Sequence, residues 1–204
     1  EAVGMMHKAS KMGPVELATS GFGQGISVTP LQLLSALCAV ANGGTLMQPM
    51  LVREVIDESG ASVRKIAPTR IRQVISERSA RQLSTILQSV VVNGSGARAA
   101  VPGYAVAGKT GTAQKPERGG YGDKRIASFM GYAPANDPRI AVLVVLDEPK
   151  TDVKYGGVLA APAFAAVIAD VMRYMEIPPT YAASVPSQES ASGLVTVPDL
   201  LGLA

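Results

Sequence analysis

Residues 102–114, PGYAVAGKTGTAQ, restrict the fold more than any other stretch, because they satisfy two patterns with incompatible architectures. Gly103 to Thr110 fits G-x-x-x-x-G-K-[ST], a phosphate cradle that needs an apolar strand before it and a helix starting at the Lys-Thr pair. Lys109-Thr110-Gly111 also reads alone as K-T-G, a tripeptide that works from a strand. The flanking residues have to decide.

They decide against the cradle. NGSGARAAVP before Gly103 is turn-like, and GTAQKPERGGYGD after Thr110 cannot form a helix. Tyr104 to Ala107 alternates as a strand does. AVLVVLDEP resembles the acidic strand of a nucleotide hydrolase, yet no crossover helix separates Lys109 from Asp147, as a parallel pair would require. Glycines at 108 and 111 instead bracket the lysine on an edge-like strand, where missing side chains let a peptide lie against the backbone.

The remaining pattern gives an α/β (α+β) order. Thr29 caps a helix that begins at Pro30, with Leu33, Leu34, Leu37, Val40 and Ala41 on one side and Asn42-Gly43-Gly44 as its stop. LVREVIDESGASVRKIAP predicts a hairpin or a bent strand pair around residues 58–61. Ser76 caps a second helix with Leu83, Ile86, Leu87, Val90 and Val91 at helical spacing, ending at Asn93-Gly94. A strand over 104–113, a loop over 114–124, and strands over 125–133 and 139–147 follow. The last strand is apolar on both faces, which predicts a central place in its sheet. A final helix is expected from near Pro162, burying Phe164, Val167, Ile168, Val171, Met172 and Met175, and closing at Pro178-Pro179.

Composition removes other classes. Charged residues make up 17%, against about 25% in typical soluble chains. The net charge of +3 has no basic run behind it and aromatics are few, which argues against nucleic acid as a partner. Cys38, the only cysteine, falls in an apolar helical pattern and reads as a buried hydrophobe, so neither an internal disulfide nor a thiolate metal cluster can form. His7, the only histidine, sits in a loop-like run and makes a poor triad base. No cofactor or metal is expected. No apolar run reaches the roughly 18 to 20 residues of a membrane span, and no secretory signal is visible.

GKTGTAQ resembles the third active-site motif of the class B penicillin-binding proteins, the D,D-transpeptidases that cross-link peptidoglycan. GFGQGISVTPLQLLSALCAVANGG resembles the glycine-rich turn and helix that precede it in that family, and GYAPANDPRIAVLVVLDEP its last two strands. The resemblance covers residues 1–177. It implies the C-terminal part of a penicillin-binding/β-lactamase-like transpeptidase fold, an antiparallel sheet packed against helices, over residues 1–179. A Ser/Ala linker over 180–193 would follow. VTVPDLLGLA resembles the start of a PASTA module, over residues 194–204.

The resemblance also implies a chemistry. A serine in S-x-x-K attacks the D-Ala-D-Ala end of a stem peptide or a β-lactam, with its lysine taking the proton and an S-x-N motif assisting. Both motifs would lie before residue 1, and no S-x-N occurs in this chain. Ser62-Val63-Arg64-Lys65 matches S-x-x-K in letters only, because it falls in a hairpin and not at a helix start. By the same resemblance, Lys109 would bond the S-x-N serine and Thr110 and Thr112 would hold the substrate carboxylate. The Thr112 N–H would form half of an oxyanion hole, and Gly111 would leave room for the ligand backbone. Tyr121 would either border the groove or lie in a surface loop. Asp147 and Glu148 read as solvated or salt-bridged strand-end charges.

The expected partners are stem peptides, β-lactams and cell-wall synthesis or division proteins. The expected location is the extracytoplasmic face of the bacterial membrane, with an anchor upstream of residue 1. Three other readings remain: a β-lactamase-like hydrolase or sensor of the same fold, a non-catalytic muropeptide-binding module, and a P-loop hydrolase. The fragment alone is expected to be inactive.

Overall fold

The computed structural model describes residues 2–5, 9–117 and 120–181. His7 and everything from residue 182 on, hence most of the expected linker and all of the PASTA-like tail, lie outside the described residues. The chain forms four α-helices and seven strands among those described. Two short antiparallel pairs precede the main sheet: β1 (Thr45–Met47) with β4 (Arg70–Gln73), and β2 (Glu54–Ile56) with β3 (Ser62–Lys65). The main sheet runs β5 (Ala107–Glu117), β6 (Gly120–Ala133), β7 (Ile140–Asp147), all antiparallel and in that spatial order.

Helices cover both faces of this sheet. α4 (Gly156–Tyr174) packs on one face, where Phe129 and Phe164 meet with ring centroids 4.8 Å apart beside buried Ile168 and Met172. On the other face Leu37 of α2 (Pro30–Ala41) joins Tyr132, Ala107 and Ala135, with Leu87 of α3 (Glu77–Asn93) packed against them. Each fully buried Phe or Ile contributes roughly 1.5–3 kcal/mol of transfer free energy. The two layers hold β5 from both sides and leave one of its edges uncovered by any strand.

Capping follows the sequence at two starts. The Thr29 hydroxyl accepts from the Gln32 N–H at 3.1 Å, and the Ser76 hydroxyl accepts from Ser79 at 3.1 Å. α1 (Pro14–Ser20) was not anticipated; it starts with proline at its first position, and Glu16 accepts the Gly13 N–H at 3.1 Å. Nor were β1 and β4, which at three and four residues are too short to show a period.

Several expectations are corrected. The 114–124 loop is a hairpin: β5 continues to Glu117 and β6 starts at Gly120, with a register irregularity between Gln114 and Pro116. Proline is tolerated there because β5 is an edge strand. The final helix starts at Gly156, placing Pro162 in its interior. At 19 residues α4 is long and apolar enough to cross a membrane by length and composition, contrary to expectation, but Phe164, Ile168 and Met172 are fully buried against the sheet. On α4, Val167 is exposed; Met175, just beyond its end, is exposed as well.

Among the described residues β7 has one strand neighbour, β6. Its two apolar faces are covered by α2 and α4, which pack on opposite sides of it. On α3 the expected stripe holds in part: Val91 is buried and Leu87 packs against the core. Ala80 is buried as well while Leu83 and Ile86 are exposed, so the buried side is rotated from expectation. Cys38 is half-buried, and burial pushes its thiol up, away from reactivity.

Candidate active-site edge on strand β5

The register of the sheet fixes which way each β5 residue faces. Thr110 lies opposite Phe129, whose ring packs on Phe164 of α4, so Thr110 and Thr112 share the α4 face. Lys109 lies opposite Met130, which packs with the cluster on the other face. Space at the neighbouring glycines is already taken: a Cβ on Gly108 would enter the Phe129 ring, and one on Gly111 would meet the Ser128 hydroxyl.

Main-chain groups follow the same logic. The Glu148 N–H donates to the Arg125 carbonyl at 2.9 Å, so Arg125 and alternate β6 residues, Ala127 and Phe129, bond toward β7. Ile126, Ser128, Met130 and Tyr132 therefore bond toward β5, where they face Ala113, Gly111, Lys109 and Ala107. Thr110 and Thr112 are left with N–H and C=O directed out from the open edge. The Lys109 ammonium confirms that direction for one of them, since it donates to the Thr110 carbonyl at 2.9 Å.

The hydroxyls on this edge are anchored. Thr112 Oγ1 accepts the Gly156 N–H at 3.2 Å, the first amide of α4, which leaves its own proton free to donate. Thr110 Oγ1 lies 3.0 Å from Ser95 Oγ and 3.4 Å from Lys109 Nζ. Gly156 and Gly157 let the helix come this close: a Cβ on Gly156 would run into the Ser128 and Gly111 carbonyls. The positive end of the α4 dipole thus arrives at Thr112, beside an exposed lysine with no carboxylate within 4 Å among the described residues. An outward N–H, two hydroxyls, an ammonium and a helix N-terminus on one rim can bind an anion and stabilise developing negative charge.

Other singled-out residues are placed elsewhere. Ser62 and Lys65 lie on β3, both exposed, with a register irregularity between them. Ser62 stands opposite Ile56 and Lys65 opposite Glu54, so Ser62 is on a strand and not at a helix start. Lys65 pairs with Glu54 at 3.8 Å. Asp147 and Glu148 share Lys115, at 2.6 and 2.8 Å, as strand-end ion-pair partners. Tyr121 lies on β6 within the long hairpin; its side chain is outside the description. Ser95 is the residue that sequence reasoning missed. Its only signal was a hydroxyl between two glycines in a turn, a common pattern.

A lysine-bearing strand edge backed by a helix N-terminus, in a helix-covered antiparallel sheet, is an arrangement of donors suited to an anionic group. Residues 1–169 match the family model for the penicillin-binding protein transpeptidase domain, and the chain belongs to that family. It is 44% identical over 181 residues to stage V sporulation protein D of Bacillus subtilis, covering 88% of this chain and 28% of that protein. It is 35% identical over 182 residues to the peptidoglycan D,D-transpeptidase FtsI of Escherichia coli, covering 88% and 29%. The crystal structure of penicillin-binding protein 3 from Mycobacterium tuberculosis complexed with aztreonam superposes with a TM-score of 0.76 at 29% identity, covering 91% of this chain and 44% of that one. The chain therefore spans less than a third of the length of these curated relatives.

Proposed function

We propose that this chain supplies the K-T-G side of the acyl-transfer site of a peptidoglycan D,D-transpeptidase. The single observation that carries this reading is the β5 edge, with Lys109 at the rim and the Thr110 and Thr112 main-chain groups facing outward. In this reading Thr112 N–H is one donor of an oxyanion hole. Losing such a donor costs on the order of 10²- to 10³-fold in rate. The Thr110 and Thr112 hydroxyls hold the terminal carboxylate of a D-Ala-D-Ala stem peptide or of a β-lactam. Lys109 adds positive potential there and bonds the serine of an S-x-N motif supplied from upstream. Gly111, expected to leave room for the ligand backbone, has that space filled by the Ser128 hydroxyl, so its lack of a side chain serves the packing of β5 on β6.

The nucleophilic serine and its lysine belong, on this reading, to sequence preceding residue 1. Residues 1–179 form the C-terminal portion of the transpeptidase domain, 180–193 a linker, and 194–204 the start of a PASTA domain. The site works outside the cytoplasmic membrane, anchored by an upstream helix, with cell-wall synthesis or division proteins as partners. The relative complexed with aztreonam supports β-lactams as ligands.

Treatment of the complete parent protein with a labelled penicillin tests this. A slowly released adduct is expected, weakened by Thr112→Pro, which removes the N–H. Rapid turnover of the penicillin would point to a hydrolase of the same fold, and absence of any adduct would overturn the reading. The present chain alone should carry no adduct by mass spectrometry; one on Ser62 would contradict the assignment.

A further inference from the structure

We propose that Ser95 is a positioning residue that sets the Thr110 hydroxyl for carboxylate recognition, an inference resting on the reading of the β5 edge above. Ser95 lies in the turn that leaves α3, between Gly94 and Gly96. Its Oγ is 3.0 Å from Thr110 Oγ1. The turn itself is held on three sides. The Gly96 N–H donates to the Val90 carbonyl at 3.0 Å, and a Cβ on Gly96 would lie 3.1 Å from the ring of Phe129, the cross-strand partner of Thr110. A Cβ on Gly157 would strike the Ser95 carbonyl and approach the Thr110 methyl at 3.1 Å.

The end of α3, the start of α4 and strand β6 therefore converge on one pair of hydroxyls. The Thr110 methyl lies against Gly157, which leaves its hydroxyl to Ser95 and, at 3.4 Å, Lys109. When Ser95 donates to Thr110 Oγ1, the Thr110 proton is free to donate to an anion at the rim, and a chain of two hydroxyls strengthens the outer bond. Ser95 acts through Thr110, so removing it should alter recognition of a ligand carboxylate and leave the oxyanion donor untouched.

The experiment uses the complete parent protein and two probes, a penicillin with its free carboxylate and the methyl ester of the same compound. Acylation rate constants are measured for the unmodified protein, Ser95→Ala, Ser95→Thr, Thr110→Val and the Ser95→Ala/Thr110→Val pair, each with a melting curve. The expected result is a roughly three- to tenfold loss for the free acid in Ser95→Ala, the size of one hydrogen bond. The ester should react at an unchanged rate, Ser95→Thr should retain the acid rate, and Ser95→Ala should add nothing in the Thr110→Val background.

Equal losses for acid and ester, as simple unfolding would produce, overturn the proposal, as does a full further loss on top of Thr110→Val. No loss in Ser95→Ala also overturns it. An unmodified protein that neither probe acylates sinks the proposed function itself. One that reacts with both probes equally fast removes the carboxylate role of Thr110. Either outcome is distinct from a failure of Ser95 alone.

Discussion

Thr112 and Gly156 carry the tightest constraint at the scale of single residues, because a hydroxyl and a helix amide meet there at 3.2 Å. Gly156→Ala would push a methyl group into two carbonyls that belong to the sheet and cannot rotate away. We expect a stability loss of at least the 1–3 kcal/mol typical of overpacking, read by chemical denaturation. Gly60→Ala is the control. It has open space and only its φ of +83° to satisfy, so it should cost about 1 kcal/mol.

A second residue-scale prediction concerns Lys115. Its hydrogen bonds to Asp147 and then Glu148 hold its ammonium above the ordinary lysine range, and its bond to Glu148 holds that carboxyl below the ordinary carboxylate range. The carboxylate contribution is present above the ordinary range and lost as pH falls through the lowered value. The lysine contribution is present below the ordinary lysine range and lost as pH rises through the raised value. An NMR titration should find the Glu148 midpoint below that of an exposed glutamate, and Lys115→Met should move it back up.

Among elements, the helices obey local rules at their starts and tertiary ones along their sides. Ser76→Ala should cost about 1 kcal/mol by removing the bond to the Ser79 N–H, a loss that Ser76→Asp should avoid. Thermal unfolding of the three proteins measures it. Ser76 was legible in sequence because a cap is a contact within four residues. The rotation of the α3 stripe was not. Leu83 and Ile86 have the right spacing for burial, and which side of the helix meets the sheet depends on elements far away in the chain. The early start of α4 has the same origin: Gly156 and Gly157 are held in the helix by their approach to Thr110, Thr112 and Ser95, across 40 or more residues.

For the whole molecule, the open edges are the main consequence. β7 packs Ile140, Val142, Val144 and Leu146 against the core, while its outer edge has no strand partner among the described residues. Such an edge templates pairing with another chain. The isolated chain should therefore self-associate at micromolar concentrations, and sizing by light scattering checks this. A sharp monomer peak across that range would contradict it. The lysine-bearing edge, by contrast, is protected by an exposed charge and by the irregularity near Pro116.

The antiparallel order of β5, β6 and β7, the caps at Thr29 and Ser76, and the place of Lys109 on an edge strand all follow from sequence. Each rests on residues a few positions apart and on connections too short for a parallel crossover. Three-dimensional packing alone decided that α2 and α4 cover the two faces of β7, that α4 begins before its proline, and that Ser95 meets Thr110. Those features depend on side chains brought together from distant parts of the chain. A hydrogen bond between residues fifteen apart leaves no period or motif in the letters to mark it.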